Sequence, residues 1–435
     1  MTDFYNYMDN MVKDDLLHIE LDNITEQGKY IHIKEKKLRH YGSCSYLCIE
    51  HDERLKKAAI AEILTSGTQV SASRAYISHP LYLEVEQRLS KMYDAHVLLT
   101  STTTLGHFSA IPALVEADDL VLIDHQAHAS MQLATKILQA SGISIKHIPH
   151  NDIHAIDLIL NENQHKRKIW YLTDGVFSMY GDLAPLDELN QLLKKYNNFW
   201  LYIDDAHGAG WLGQHGKGYV LGKQVISEKM IVTISFAKCF GVTGGGIIFP
   251  NETLYKTVRY CGPTFTFGGP IQPANLAALN ASLKIFNSQE QKTLQAQLTK
   301  TIDFFNQEAL KRNLPLIDSM NSPIRFIGIG DESVTTLVIK KLMQEGIYVN
   351  LGIFPAVGKG KSGLRIALNI SHTQQEITVL CDLIHNIIKQ SIKAIYSDNS
   401  HTYIEQVLLK SFENNLSHSI KKKLINDDWS TTNIT

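Results

Sequence analysis

The stretch "SFAKCFGVTGGGIIFP" occupies residues 235–250 and holds a single cation, Lys238. The β-branched run 230–234 precedes it and the apolar run 247–249 follows it, so a buried strand is predicted on each side. Most lysines are solvated surface residues. A lysine in a dry pocket, however, can act as a nucleophile or bind a carbonyl carbon covalently. The rest of the chain decides between these two interpretations.

The composition is that of an ordinary globular protein. The chain has 435 residues, 44% of them hydrophobic and 20% charged, with a net charge of -2. This length allows more than one domain, and the near-neutral charge argues against a nucleic-acid partner. The start lacks the basic and apolar regions of a signal peptide, and no apolar run approaches the ~18 residues of a membrane span. Five cysteines without a paired metal-binding spacing predict free thiols and a cytoplasmic location.

Apolar strand-like runs alternate with helix-like segments through the middle of the chain. This alternation predicts an α/β fold with a mostly parallel sheet that helices cover on both faces. The predicted strands are 96–100, 120–124, 168–174, 199–208 and 230–236, and the predicted helices are 81–93, 107–117, 130–141 and 186–196.

The pattern changes near residue 290, where a long helical stretch leads into shorter strands and helices. We expect a smaller α+β domain there. Beyond residue 396, apolar residues at a spacing of four predict an amphipathic helix that packs on the body or on a partner; they are Ile404, Leu408, Phe412, Leu416, Ile420 and Leu424. The predicted segments are an N-terminal arm (1–45), a large domain (46–288), a small domain (289–395) and a helical tail (396–435).

Polar side chains collect where four of the predicted strands end. Sites in parallel α/β sheets form beyond these carboxyl ends, so the clustering favours a chemical role for Lys238. The strand-end groups are Asp124, His125, His128, Asp174, Ser178, Asp204, Asp205, His207, Ser235 and Lys238.

Two other kinds of site are disfavoured. "GAGWLG" at 208–213 matches the glycine pattern of dinucleotide-binding loops, but no helix signal follows it, as that motif requires. His125 and His128 have a spacing found in metal sites, but this chain has 19 histidines and no cysteine or carboxylate at a matching helical spacing. No metal is predicted.

A pyridoxal phosphate site needs the types of side chain that the predicted strand ends supply. A lysine holds the aldehyde as an imine, and a carboxylate beside the pyridine nitrogen keeps the nitrogen protonated, which makes the ring an electron sink. A flat side chain stacks on the ring. Hydroxyl and N–H groups at the start of a helix bind the phosphate.

In its motifs and their order, the chain resembles the α-oxoamine synthases, which are fold-type I pyridoxal phosphate transferases. The resemblance covers roughly residues 40–390 and implies a seven-stranded-type, mostly parallel sheet with a smaller C-terminal α+β domain. Four stretches resemble family motifs, in family order: "HAS" (128–130), "TDGVFSMYGDLAPL" (173–186), "IDDAHGAGWLGQHGKG" (203–218) and "SFAKCFGVTGGG" (235–246).

The resemblance implies a role for each cofactor-binding residue. Lys238 would hold the cofactor and move the proton at the substrate's Cα. Asp204 would pair with the pyridine nitrogen, and His128 would stack on the ring. His207 and Ser178 would hydrogen-bond the ring hydroxyl. "PHNDIHAIDLIL" at 149–160 resembles a further family segment and implies a structural role for His150.

The phosphate-binding groups depart from the family pattern. The family loop S-G-aromatic-x-A-N corresponds here to "TTTLGH" (102–107), so N–H and hydroxyl groups of Thr103 and Thr104 would bind the phosphate at a helix start. Ser235 would also contact it.

A homodimer is implied by "FGGPIQP" at 267–273, which resembles the loop that reaches the neighbouring subunit's phosphate. N–H groups of Gly268 and Gly269 would replace the usual hydroxyls there.

The resemblance also implies substrate contacts in the smaller domain. Arg365 would bind the carboxylate of the substrate. Ile353 stands where the family often has an arginine, which leaves the acyl donor open.

The expected reaction joins an amino acid to an acyl thioester with loss of CO2 and gives an α-amino ketone. The donor could be an acyl-CoA or an acyl carrier protein. An aminotransferase or a C–C lyase on the same fold is the alternative. A non-catalytic, cofactor-sensing regulator is disfavoured, because no DNA-binding segment is predicted before residue 40.

Overall fold

A computed structural model describes residues 2–317, 321–397, 403–413 and 415–426. The chain divides into two compact units. The central unit comprises Ile49–Ser178 and Leu183–Gln295, and the terminal unit comprises Met1–Cys48, Met179–Asp182 and Ala296–Thr435. The terminal unit thus contains both ends of the chain, whereas an arm, a small domain and a tail were predicted as separate segments. The division into those four segments stays a prediction.

The described residues form strands β1 to β15. In chain order they are β1 (Asn23–Thr25), β2 (Tyr30–Ile33), β3 (Lys36–His40), β4 (His96–Thr100), β5 (Leu120–Asp124), β6 (Ser144–Ile148), β7 (Ile169–Asp174), β8 (Phe199–Asp204), β9 (Met230–Ser235), β10 (Gly245–Phe249), β11 (Leu316–Ile317), β12 (Ile324–Gly330), β13 (Ile347–Tyr348), β14 (Asn350–Gly352) and β15 (Ser362–Ala367).

Helices α1 to α15 connect and flank these strands. They are α1 (Thr2–Lys13), α2 (Glu53–Ser66), α3 (Pro80–Tyr93), α4 (Thr103–Leu114), α5 (Ala129–Ala140), α6 (Ile153–Glu162), α7 (Leu186–Lys195), α8 (Val220–Lys223), α9 (Glu252–Cys261), α10 (Pro263–Phe267), α11 (Pro273–Phe286), α12 (Glu290–Lys311), α13 (Glu332–Gln344), α14 (Gln374–Tyr396) and α15 (His418–Asn426).

A seven-stranded sheet forms the core of the central unit, in the order β4-β10-β9-β8-β7-β5-β6. Strand β10 runs antiparallel to its neighbours β4 and β9, and the other pairs are parallel. The predicted mostly parallel, seven-stranded α/β fold is therefore confirmed. Every residue of β5, β7 and β9 is buried, as expected for strands that helices cover on both faces.

Three local features of this sheet differ from the sequence-based prediction. Helix α4 begins at Thr103 instead of residue 107, because Thr102 accepts a hydrogen bond from the N–H of Leu105 and caps it. Strand β8 ends at Asp204 instead of residue 208. Strand β6 was not predicted, since it lies at the sheet edge and only its last residue is buried.

The terminal unit contains two four-stranded sheets, β1-β2-β3-β13 and β11-β12-β15-β14. The second is antiparallel throughout, and its inner strands β12 and β15 are fully buried.

The C-terminal tail packs on the terminal unit. Its six apolar residues at a spacing of four are each at most 5% exposed. Gly328 of β12 leaves the space that the Phe412 ring fills, because a Cβ at this position would lie 2.7 Å from the ring. The tail forms a π-helical segment (Ile404–Leu409) and α15, where a single helix was predicted. No helix in the described part of the chain is long and apolar enough to cross a bilayer.

Candidate active site

A cavity of about 200 Å³ opens beyond the carboxyl ends of the central strands. All of its lining residues belong to the central unit. It brings together seven residues to which the family resemblance assigned a role at the cofactor: Thr103, Thr104, His128, Asp204, His207, Ser235 and Lys238. Asp174, Thr243 and Gly244 also line it. Lys238 is therefore a cavity residue and not a solvated loop residue.

Backbone hydrogen bonds fix the turn that carries Lys238 between β9 and β10. The N–H of Phe236 donates to the carbonyl of Gly244 (2.9 Å), and the N–H of Val242 donates to the carbonyl of Phe236 (3.0 Å). The Ser235 hydroxyl accepts from the N–H of Ala237 at 3.3 Å. These contacts hold the half-buried lysine at the cavity.

Two carboxyl groups face each other at the ends of neighbouring strands. Asp174 of β7 lies opposite Asp204 of β8 in the parallel register. Burial acts to raise the pKa of Asp204, but His107, His128 and Lys238 outweigh it and hold this pKa below its usual range. Burial and the charge of Asp204 raise the pKa of Asp174 well above its usual range. Asp204 is thus the ionised member of the pair at neutral pH.

His107 of α4 is the partner of Asp204 that sequence reasoning missed. Its Nε2 lies 3.0 Å from Asp204 Oδ2, its Nδ1 lies 2.9 Å from the Tyr202 hydroxyl, and the residue has no exposed surface. The second Asp204 oxygen, Oδ1, accepts from the N–H of Ala206 at 3.0 Å. The position of His107 in the phosphate-loop stretch 102–107 was the one available signal, and it did not reveal the contact with Asp204.

The first turn of α4 supplies anion-binding groups. The initial N–H groups of a helix have no partners within the helix and carry a partial positive charge. Thr103 and Thr104 occupy this turn and line the cavity. A phosphate group fits this end of the cavity.

Two histidines present their rings to the cavity. His128 caps α5, and its Nδ1 lies 2.6 Å from the Ser130 hydroxyl, which fixes the ring orientation. The N–H of His128 donates to Asp174 Oδ1 at 2.9 Å. His207 is 7% exposed, and its carbonyl accepts from Trp211 Nε1 at 2.6 Å.

The other predicted site residues lie elsewhere. Ser178 is half-buried and does not line the cavity, and Gly268 and Gly269 line a separate small cleft beside Ser101. The N–H of Gly268 donates to the carbonyl of Thr264 at 3.0 Å. The phosphate-binding role of Gly268 and Gly269 stays a prediction.

Arg365 belongs to the terminal unit, on β15. It is 7% exposed, and its Nη2 lies 3.5 Å from Cys44 Sγ.

His150 lies outside the cavity and makes structural contacts. His150 Nδ1 lies 3.0 Å from the buried Asp124, and its ring meets Phe177 edge-on at 4.4 Å. This geometry agrees with the structural role implied for His150. Among the described residues, no group of three or more histidine, cysteine and acidic side chains is placed to hold a metal.

Two glycines, Gly208 of "GAGWLG" and Gly218 beyond it, pack against the carboxyl group of Asp205. A Cβ on Gly208 would lie 2.0 Å from Asp205 Oδ1, and one on Gly218 would lie 2.2 Å from Oδ2. Oδ2 accepts from the N–H of Val220 at 3.0 Å. Turns and a short 3-10 helix (Gln214–Gly216) follow the motif. Its glycines serve close packing: Gly208 lies against Asp205, Gly210 against Cys239 and Gly213 against Gly222.

We predict that Asp205 makes the stability of the fold depend on pH. Burial raises the pKa of Asp205 to about 8, against about 4 in an unfolded chain. The folded state therefore holds a proton that the unfolded state has lost, and this contribution to stability is present below about pH 4 and is lost as the pH rises toward about 8. In Asp205→Asn the apparent Tm should fall less between about pH 6 and pH 8 than in the wild type.

Asp187→Asn is the control for this prediction, because Asp187 is an exposed carboxyl in the same unit. It should keep the wild-type slope. Equal slopes of Tm against pH in all three proteins would contradict the prediction.

Comparison with known proteins supports one family. The family of class I and II aminotransferases matches residues 49–384. An 8-amino-7-oxononanoate synthase from Thermosipho melanesiensis is 31% identical over 374 residues, covering 82% of this chain and 93% of that protein. A serine palmitoyltransferase from Bacteriovorax stolpii is 27% identical and covers 86% of this chain and 88% of that protein.

A solved structure shares the fold. The serine palmitoyltransferase from S. paucimobilis, in a complex with PLP and myriocin, superimposes with a TM-score of 0.82 at 20% identity, covering 89% of this chain and 97% of that one. The chain therefore belongs to the aminotransferase class I and II family and, within it, to the α-oxoamine synthases.

Proposed function

We propose that the chain binds pyridoxal phosphate and joins an amino acid to an acyl thioester with loss of CO2. The observation that carries this proposal is the single cavity in which Lys238, the ionised Asp204, the fixed ring of His128 and the start of α4 meet. Relatives named 8-amino-7-oxononanoate synthase and serine palmitoyltransferase support the reaction class.

The residues of the cavity fit the cofactor. An amine for the aldehyde, a carboxylate for the pyridinium, a flat ring for stacking and a helix start for the phosphate are all present. When bound, pyridoxal phosphate supplies an electron sink that stabilises negative charge at the substrate's Cα.

The protein's own groups bind, orient and move protons. Lys238 holds the cofactor and then takes the proton from the substrate's Cα, because its turn places it at the cavity. Asp204 keeps the ring nitrogen protonated by charge-assisted hydrogen bonding. The N–H groups of Thr103 and Thr104 with the Ser235 hydroxyl hold the phosphate. His207 contacts the ring hydroxyl, and we keep the same role for Ser178 as a proposal.

The condensation balances without a further reactant. A bond forms between Cα and the acyl carbonyl carbon as the C–S bond breaks, which releases the thiol. The bond from Cα to the carboxylate then breaks and CO2 leaves, and a proton returned by Lys238 takes its place at Cα. A guanidinium can clamp a carboxylate through two parallel hydrogen bonds, and we assign this role to Arg365.

The first prediction from this proposal concerns Lys238. Borohydride reduction of the purified, cofactor-loaded protein should attach the cofactor to the peptide that contains Lys238. Lys238→Ala should still bind the cofactor through the other contacts but lose turnover, because the group that takes the Cα proton is gone. Lys217→Ala, on the same unit but outside this cavity, should keep full activity. Label on any other lysine would contradict the assignment.

The second prediction separates acyl transfer from the alternative reactions. Thiol release should depend strictly on an added amino acid and match the CO2 formed. Arg365→Ala should act mainly by raising the KM for the amino acid, by about 10-fold or more, since one charge-assisted bidentate contact is lost. Amino transfer to an oxo acid, with no thiol released from short to long acyl thioesters, would favour an aminotransferase or lyase instead.

We further propose a homodimer in the cytoplasm. Large apolar side chains of the central unit are exposed on α2, α3 and the connection between them; they are Ile60, Leu64, Tyr76, Ile77 and Leu83. Exposed apolar surface of this kind is typical of subunit interfaces. The five cysteines are free thiols, in line with a reducing compartment.

The third prediction is therefore an active dimer in light scattering. The double variant Leu64→Asp with Tyr76→Asp should weaken dimerisation, because buried charge opposes association. Leu158→Asp on α6 also changes a half-exposed leucine of the central unit and should leave the dimer intact. A wild-type chain that is active as a monomer would refute the homodimer.

A further inference from the structure

Three buried side chains form a continuous hydrogen-bonded chain that leads away from the cavity. The Tyr202 hydroxyl contacts His107 Nδ1, and His107 Nε2 contacts Asp204 Oδ2. Tyr202 is 1% exposed and His107 has no exposed surface. Only Asp204 reaches the cavity.

The fold places these groups together for simple reasons. Tyr202 and Asp204 stand two residues apart on β8, so they point to the same face of the sheet. His107 and Thr103 stand four residues apart on α4 and share a face of that helix. One helix thus presents its first turn to the cavity and its next turn to Asp204.

The hydrogen bonds define where the protons lie. An ionised carboxylate only accepts, so His107 Nε2 carries a proton toward Asp204. In the neutral imidazole Nδ1 then accepts, and the Tyr202 hydroxyl donates to it. Burial and the charge of Asp204 raise the pKa of Tyr202, so the hydroxyl keeps its proton.

We infer that His107 and Tyr202 are positioning residues that hold Asp204 ionised and oriented, and so set how firmly the cofactor's ring nitrogen keeps its proton. This inference rests on the proposed function. His107 stands where the phosphate loop of the resembling family ends in asparagine.

Other charged groups also act on Asp204. His128 and Lys238 face it at the cavity, and Asp174 faces it from β7. Lys238 favours the ionised form of Asp204, and Asp174 opposes it whenever Asp174 is charged. Burial lowers the pKa of His128, so its ring adds positive charge only at acidic pH. His107 is the group with a direct side-chain hydrogen bond, so its loss should weaken the ionised form most.

The first arm of the test uses the cofactor-free protein. NMR of isotope-labelled histidine identifies the His107 ring nitrogens as the signals that disappear in His107→Asn. We expect the Nε2–H tautomer, and in Tyr202→Phe a shifted Nδ1 signal. Tyr171→Phe is the control, because Tyr171 is equally buried on β7 but donates to Asp124 at 3.0 Å. An unchanged Nδ1 signal in Tyr202→Phe would overturn the assignment.

The second arm measures cofactor affinity and the pH profile. His107→Leu should raise the Kd for pyridoxal phosphate and lower kcat by about 10-fold each, the scale seen when a partner that orients a ligand is removed. The acidic limb of kcat/KM should move to higher pH, because the carboxylate has lost its donor. His107→Asn should shift the acidic limb of kcat/KM less than His107→Leu does, and Tyr202→Phe should shift it less still.

The outcomes separate this inference from the proposed function. A wild-type protein that binds the cofactor and releases thiol, with His107→Leu matching Tyr171→Phe in Kd and pH profile, would overturn only the role of His107. A wild-type protein that binds no pyridoxal phosphate would overturn both. If His107→Leu fails to fold, His107→Asn and Tyr202→Phe decide by the same measurements.

Discussion

An ionised carboxylate kept inside the protein is the constraint on which the central unit depends. Burying a charge is costly unless hydrogen bonds and opposite charges compensate it. Asp204 has compensation from His107, from the N–H of Ala206 and from the lysine at the next strand end. Burial and the charge of Asp204 raise the pKa of its neighbour Asp174, so Asp174 keeps its proton. The cavity therefore contains one fixed negative charge, placed opposite Lys238.

The parallel sheet places Asp204 and the groups that compensate its charge at one edge, where they form a site. Strands β7, β8 and β9 are hydrogen-bonded neighbours, so their carboxyl ends present Asp174, Asp204 and the Lys238 turn side by side. The same geometry requires buried, apolar strands, and each of the three is buried along nearly its full length. Helix α4 completes the arrangement because its start supplies N–H groups and its second turn supplies His107. A rigid scaffold thus positions groups from distant parts of the chain.

The terminal unit contains an antiparallel sheet in place of a parallel one. Its antiparallel sheet holds Arg365 on β15, paired with Phe326 of β12 on one side and Asn350 of β14 on the other. The C-terminal tail covers this sheet through Phe412, whose ring occupies the space left by Gly328. The family match ends at residue 384, so this covering segment lies beyond the part of the chain that the family defines. Packing, and not catalysis, explains the regular apolar spacing of the tail.

The sequence by itself determined the fold class, the family and seven residues of the cavity, because apolar periodicity and ordered motifs are local properties of the chain. Lys238 and Asp204 are among these seven, since the ends of the strands are visible as the ends of apolar runs. Only the tertiary structure shows that the His107 ring contacts Asp204 and that the N–H of Gly268 donates to the carbonyl of Thr264. It also shows that the N-terminal and C-terminal parts of the chain belong to one unit. These features depend on contacts between residues far apart in sequence. Such a contact produces no periodic pattern in the sequence, because the two groups meet only after the chain has folded.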